Sequence, residues 1–162
     1  AAVDRIDSNV HEQNLLQFIQ HLVGPLNAEF ARNHIELILD INDDINIKTY
    51  GSELSQSINN LIMNACVHAF DGIDAPCITI SAHGQANNII IEVQDNGVGV
   101  DEAVREHIYD PFVTTKRNQG STGLGMNIVH NLVIGKLAGN IELLPTSKGT
   151  TWKISLPKEI AV

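Results

Sequence analysis

Two glycine clusters, Asp95-Asn96-Gly97-Val98-Gly99 and Gly120-Ser121-Thr122-Gly123-Leu124-Gly125, constrain this chain more than any other feature. Between them run an acidic turn, the segment Asp110-Pro111-Phe112-Val113-Thr114-Thr115-Lys116 and a polar linker. After the second cluster, Met126, Ile128, Val129, Leu132, Val133 and Leu137 recur at helical spacing. This arrangement predicts a mobile loop that closes over an anionic ligand. Glycine suits such a loop because, without Cβ, its backbone adopts positive φ and lets N–H groups approach phosphate oxygens closely. Thr122 or Gly123 would then stand at a helix N-terminus, where unpaired N–H groups and the helix dipole favour negative charge.

The commoner phosphate loops do not fit. No Gly-x-x-x-x-Gly-Lys-Ser/Thr occurs, and neither cluster has the strand, Gly-x-Gly-x-x-Gly, helix order of a dinucleotide fold. The second cluster follows a polar loop. The first follows the strand-like run Ile89-Ile90-Ile91-Glu92-Val93, which puts the Asp95 carboxylate at a strand terminus beside the first glycines. Either cluster taken alone also reads as a flexible surface turn.

A second constellation lies upstream. From Leu54 to Phe70, the residues Ile58, Leu61, Ile62, Ala65 and Ala69 share one helical face, while Asn60, Asn64 and His68 fall at i, i+4 and i+8 on its flank. Asparagine is a poor helix-interior residue because its side chain competes for backbone hydrogen bonds. Two in one stripe beside a core face call for a ligand, the alternative being a solvated flank.

These residues together resemble the catalytic ATP-binding domain of sensor histidine kinases, within the gyrase, chaperone, histidine kinase and mismatch-repair ATPase superfamily. Asn60-Leu61-Ile62-Met63-Asn64-Ala65 is similar to the family's N box and Asp95-x-Gly97-x-Gly99 to its G1 box. Asp110-Pro111-Phe112 with Thr114-Thr115-Lys116 resembles its F box, Gly123-x-Gly125 its G2 box, and Lys148-Gly149-Thr150-Thr151 the start of its closing hairpin. The resemblance covers about residues 34 to 157. It implies an α/β two-layer sandwich, with a mixed, mostly antiparallel sheet covered on one face by helices and a mobile ATP lid.

The resemblance also implies roles. Asp95 would accept a hydrogen bond from the adenine amino group. That suits an acceptor-only carboxylate, which distinguishes adenine's donor from guanine's carbonyl. Thr150 or Thr151 would complete the base pocket. Asn64, helped by Asn60 one turn earlier, would present an amide oxygen to Mg²⁺, a hard cation that prefers oxygen, and His68 would face the phosphates. Gly97, Gly99 and the run Gly120, Ser121, Thr122, Gly123, Leu124, Gly125 would line the ATP site. Thr115 and Lys116 would join them from the lid, with Phe112 as the lid's apolar anchor. Many relatives carry Lys three residues after the metal-binding Asn; here Val67 stands there, which turns attention to Lys116 and Arg117 for the terminal phosphate.

By this resemblance the chain donates the γ-phosphoryl of ATP·Mg²⁺ to a histidine on a separate dimerisation domain, with a response regulator downstream. Two alternatives belong to other classes, an ATP-hydrolysing conformational switch and an anti-sigma-type serine kinase. Both usually carry Glu where Asn60 stands, and an amide is no general base. The acceptor domain itself is expected to be absent. The nearest imitation, His21-Leu22-Val23-Gly24-Pro25, lacks the acidic residue that follows an acceptor, and His11-Glu12 lacks the later pattern.

The rest is consistent with one domain over residues 1 to 162, with 43% hydrophobic and 18% charged residues. A net charge of -9 argues against nucleic-acid binding, which needs a basic footprint. Cys66 and Cys77 lack metal-ligand spacing and read as free thiols in a reducing compartment. The expected setting is cytoplasmic, including the cytoplasmic part of a membrane-anchored sensor, since no run is apolar enough to span a bilayer and the chain opens Ala-Ala instead of Met. In chain order, residues 1 to 12, with Ile6 and Val10, read as a weak first strand or an entry segment, residues 14 to 32 form a helix that Gly24-Pro25 kinks or splits, and Ile35 to Ile41 alternate as a strand. Ile45 to Tyr50 reads as that strand's short partner. The strands around His83-Gly84 and Asn87-Asn88 read as a hairpin, and so do 139 to 144 with 150 to 156.

Overall fold

The computed structural model describes residues 10–110, 125–146 and 148–161, without the side chain of His68. Its strands are β1 (Val10–Asn14), β2 (Glu36–Ile41), β3 (Asn46–Tyr50), β4 (Cys77–Gln85), β5 (Asn88–Asp95), β6 (Asn140–Leu144) and β7 (Thr150–Pro157). The helices are α1 (Leu15–Val23), α2 (Asn27–Arg32), α3 (Gly51–His68), α4 (Glu102–Arg105) and α5 (Gly125–Ile134). A 3₁₀ turn, Gly24–Leu26, separates α1 from α2, so Gly24-Pro25 splits the predicted helix in two. The acidic turn after the first glycines contains α4.

Five strands form one sheet in the order β2-β4-β5-β7-β6. Only β2 and β4 run parallel; the other pairs are antiparallel. Both expected hairpins form, β4 with β5 and β6 with β7. The helices cover one face, giving the two-layer α/β sandwich that the resemblance implied.

One expected pairing does not form. β3 pairs with β1 in a separate antiparallel ribbon, Val10 opposite Tyr50 and Asn14 opposite Asn46, and makes no pair with β2. Asn14 explains this local choice. Its Oδ1 accepts from the N–H of Gln17 at 3.0 Å, capping α1. Its Nδ2 donates to the Asp43 carbonyl at 2.6 Å, and the Leu15 N–H donates to Ile45 at 2.9 Å. The turn 42 to 44 is thereby drawn toward β1. The chain end ties this ribbon to the main sheet, because Lys48 N–H donates to Lys158 and Ile160 N–H to Lys48, at 2.8 and 3.0 Å.

The core lies between sheet and helices. Ile58, Leu61, Ile62, Ala65 and Ala69 of α3 are buried as their spacing predicted, against Ile78, Ile80, Ile89, Ile91, Val93 and Ile154 from the sheet. Met126, Val129 and Val133 of α5 complete this layer, with Leu137 buried beyond the helix end. Each large aliphatic chain so buried contributes about 1.5–3 kcal/mol of transfer free energy, which is what holds an amide-bearing helix like α3 in place. The β4–β5 hairpin turns at Ala86-Asn87, and Ala86 has φ of 55°. An L residue is strained there and glycine is not, so Ala86→Gly should raise stability by about 0.5–1 kcal/mol after its greater unfolded-state entropy is counted. Chemical denaturation checks this; an unchanged or lower midpoint would refute it.

Candidate functional site

β5 delivers Asp95 to the end of the sheet with its side chain on the helix-covered face, in phase with Ile89, Ile91 and Val93. Only 7% of it is exposed. Its Oδ1 accepts from the N–H of Gly97 at 2.9 Å and of Thr150 at 3.2 Å. Burial pushes the carboxyl's pKa above the ordinary value, and these two N–H groups pull it back. A desolvated carboxylate is thus held in one orientation by neighbouring backbone, with Oδ2 left for a donor from outside.

The glycines that follow are required by close packing. A Cβ at Gly97 would collide with the Ala69 carbonyl at the end of α3, to which the Val98 N–H donates at 2.8 Å. Gly99, at φ 82°, passes the backbone of Gly149, at φ 74°. A Cβ on Gly149 would strike the Asp95 carbonyl oxygen. The first loop, the end of α3 and the β6–β7 turn therefore converge on Asp95.

Asn96 holds the upstream limb of this loop, a role not assigned from sequence. Its Oδ1 accepts from Cys77 N–H and its Nδ2 donates to the Ala75 carbonyl, both at 2.8 Å. An Asx residue directly after a strand and before glycine is the signal that marks it. Strand register separates the two threonines. Thr150 lies opposite Asp95 and shares its face, whereas Thr151 lies opposite Gln94 on the other face; both are buried.

Asn60 and Asn64 project from the flank of α3, half-buried, and no described residue hydrogen-bonds either amide. Val67 is half-buried one turn on. Gly125 is the first residue of α5. Phe112, Thr115, Lys116, Arg117, Gly120, Ser121, Thr122, Gly123 and Leu124 lie outside the described residues, as does the side chain of His68. Both cysteines are free. Burial pushes the Cys66 thiol up to about 11, with the Glu29 charge adding to it, so Cys66 is an unreactive packing residue. Among the described residues no helix is long and apolar enough to cross a membrane.

Comparison with known proteins identifies the family and the fold. Residues 49–160 match the family model described as histidine kinase-, DNA gyrase B-, and HSP90-like ATPase. The chain is 31% identical over 151 residues to sensor histidine kinase RppB of Synechocystis sp., covering 86% of this chain and 32% of that protein. It is 29% identical over 147 residues to sporulation kinase E of Bacillus subtilis, covering 90% of this chain and 19% of that one. It thus spans less than a third of the length of these curated relatives. In fold it is similar to the nucleotide-free catalytic domain of histidine kinase ThkA, with a TM-score of 0.82 and 24% identity over 93% of this chain and 97% of that one. It is likewise similar to full-length ShkA in complex with AMPPNP, with a TM-score of 0.79 and 20% identity over 94% of this chain and 32% of that one. With the family model spanning most of the chain and the Asp95 cradle at its centre, this protein belongs to the histidine kinase-, DNA gyrase B- and HSP90-like ATPases, and its relatives are sensor histidine kinases.

Proposed function

We propose that this domain binds ATP with Mg²⁺ and donates the γ-phosphoryl to a histidine on a separate dimerisation domain of its parent chain, for onward transfer to a response regulator. The observation that carries the nucleotide assignment is the Asp95 cradle, a buried carboxylate with one oxygen saturated by Gly97 and Thr150 and the other available to the adenine amino group. Thr150 lies beside it on the same face and lines the base pocket, with Thr151 behind it on the other face. ShkA, similar in fold, is known in complex with AMPPNP, and ThkA in complex with the response regulator protein TrrA. An ATP-dependent phosphotransfer of this kind operates in the cytoplasm, where ATP is.

Mg²⁺ suits the α3 flank. Two half-buried amides without described protein partners offer neutral oxygens, the donor type a hard cation takes alongside phosphate and water. Asn64 would hold the ion with Asn60 beside it, and the ion would neutralise phosphate charge. Gly99 and the segment Gly120 to Gly125 would offer backbone N–H groups to the nucleotide beside Gly97, whose own N–H orients Asp95, while His68, Phe112, Thr115 and Lys116 would complete the site. Asn60 offers no carboxylate to activate water, which favours transfer to a protein acceptor over hydrolysis.

Two measurements test this. Asn64→Ala should lose the Mg²⁺-dependent part of ATP affinity, seen by calorimetry with and without the ion; full retention of the enhancement would assign the metal elsewhere. Incubated with labelled ATP and Mg²⁺, the chain should label an added acceptor domain from its parent, not itself, because transfer requires an acceptor in line with the γ-phosphate. Acid-labile label on the chain alone would overturn this and implicate His21 or His11, both exposed.

A further inference from the structure

The two limbs of the Gly97–Gly99 loop are held by different contacts. The upstream limb is fixed by Asn96 and by the contact with Ala69. Past Gly99 the chain borders a cleft of about 260 Å³, lined by Val100, Arg105, Leu143, Thr146, Gly149 and Thr150, which separates it from the β6–β7 turn. Gly99 itself abuts the Gly149 backbone, and beyond it the cleft leaves the limb to be held by residues that reach across.

The half-buried Arg105 is one such residue. Its Nη2 donates to the Leu143 carbonyl at 2.6 Å, a charge-assisted bond to the strand across the cleft. Tyr109 OH, four residues on, reaches the Ile141 carbonyl at 3.4 Å. Among the described residues β6 is the last strand of the sheet and pairs only with β7, and the bonds from Arg105 and Tyr109 reach two alternate carbonyls along it. Residues two apart on a strand repeat at roughly 6.8 Å, and Arg105 at the end of α4 and Tyr109 in the turn that follows reach these two carbonyls. The far end of the segment is secured to α5, because Asn127 Nδ2 donates to the Tyr109 carbonyl at 3.0 Å and the Tyr109 ring stacks on His130 at 4.3 Å. Arg105 is therefore the tether nearest the loop.

We propose that Arg105 is a positioning residue for the nucleotide-binding loop, holding the downstream limb of Gly97–Gly99 at the width that admits the adenine end of the ligand. This rests on the nucleotide reading above. Arg105→Met keeps the apolar stem and removes the donor. In calorimetry with ADP, its Kd should rise about tenfold, within the range by which a residue coupled to a site without touching its ligand shifts affinity, while its Tm falls by less than about 8 °C. Arg105→Lys, which retains a cationic donor, should restore the Kd to within about threefold. Hydrogen exchange should quicken at residues 98 to 104 in Arg105→Met and return to normal in Arg105→Lys.

In the parent kinase the Arg105→Met loss should appear in KM for ATP with kcat little changed. An unchanged ADP Kd in folded Arg105→Met, or an Arg105→Lys chain as weak as Arg105→Met, would overturn the proposal. So would a loss of affinity that accompanies a large fall in Tm, which would make Arg105 a stability residue. If the unaltered chain fails to bind ADP at all, the nucleotide reading falls first and takes this one with it.

Discussion

Asp95→Asn should bind ATP between about tenfold and a hundredfold more weakly than the unaltered chain, from the roughly 1.5–3 kcal/mol of a hydrogen bond to a charged acceptor. The substitution preserves shape. Its Oδ1 can still accept from Gly97 and Thr150, so the loop keeps its anchors. What changes is the outward-facing atom, which becomes an NH₂ group opposed to adenine's own donor.

Stability should move the other way. Burial raises the pKa of Asp95 in the fold above its unfolded value of 3.8, so its ionisation at neutral pH disfavours the folded state. That cost is absent below pH 3.8 and sets in as pH rises through the raised folded value. Asp95→Asn should therefore unfold at a temperature no lower than the unaltered chain at pH 7, and lose less stability on going from acid to neutral pH. Calorimetry with ATP and thermal melts across pH test both halves. Full ATP affinity in a folded variant would sink the adenine assignment.

Gly149→Ala should be the most destabilising single methyl in the site. The residue sits at φ 74°, where an L residue costs about 1–2 kcal/mol, and the new Cβ would drive into the Asp95 carbonyl. Backbone on both sides leaves no flexible side chain to yield. A total of about 3–5 kcal/mol is expected, by comparison with other severe steric substitutions, and Tm should fall by about 10 °C or more. Any residual folded protein should bind ATP poorly, because the displaced turn carries the Thr150 N–H that orients Asp95. A melt within 2–3 °C of the unaltered chain, roughly the shift from 1 kcal/mol, would show that the turn relaxes and that the close approach is not obligatory.

Much of this was legible in the chain itself, because the relevant physics is local. Period and length identified α3 and α5, and the apolar face Ile58, Leu61, Ile62, Ala65 and Ala69 was readable without knowing its partner. The strand ending at Asp95 and the glycines after it could be read the same way, since φ preference belongs to the residue. Tertiary structure alone decided which strands meet. Ile45 to Tyr50 has a strand's pattern whether it pairs with β2 or β1, and the hydrogen bonds from Asn14 and Leu15 to the turn settle it for β1. It alone decided why Gly97 and Gly149 must be glycine. One faces Ala69 and the other Asp95, contacts remote in sequence. Thr150 and Thr151 are chemically identical neighbours, separated only by a register that the pleat turns into opposite faces. Arg105 carries no motif. Its meaning comes from a β6 carbonyl 38 residues away, which no periodicity in the chain announces.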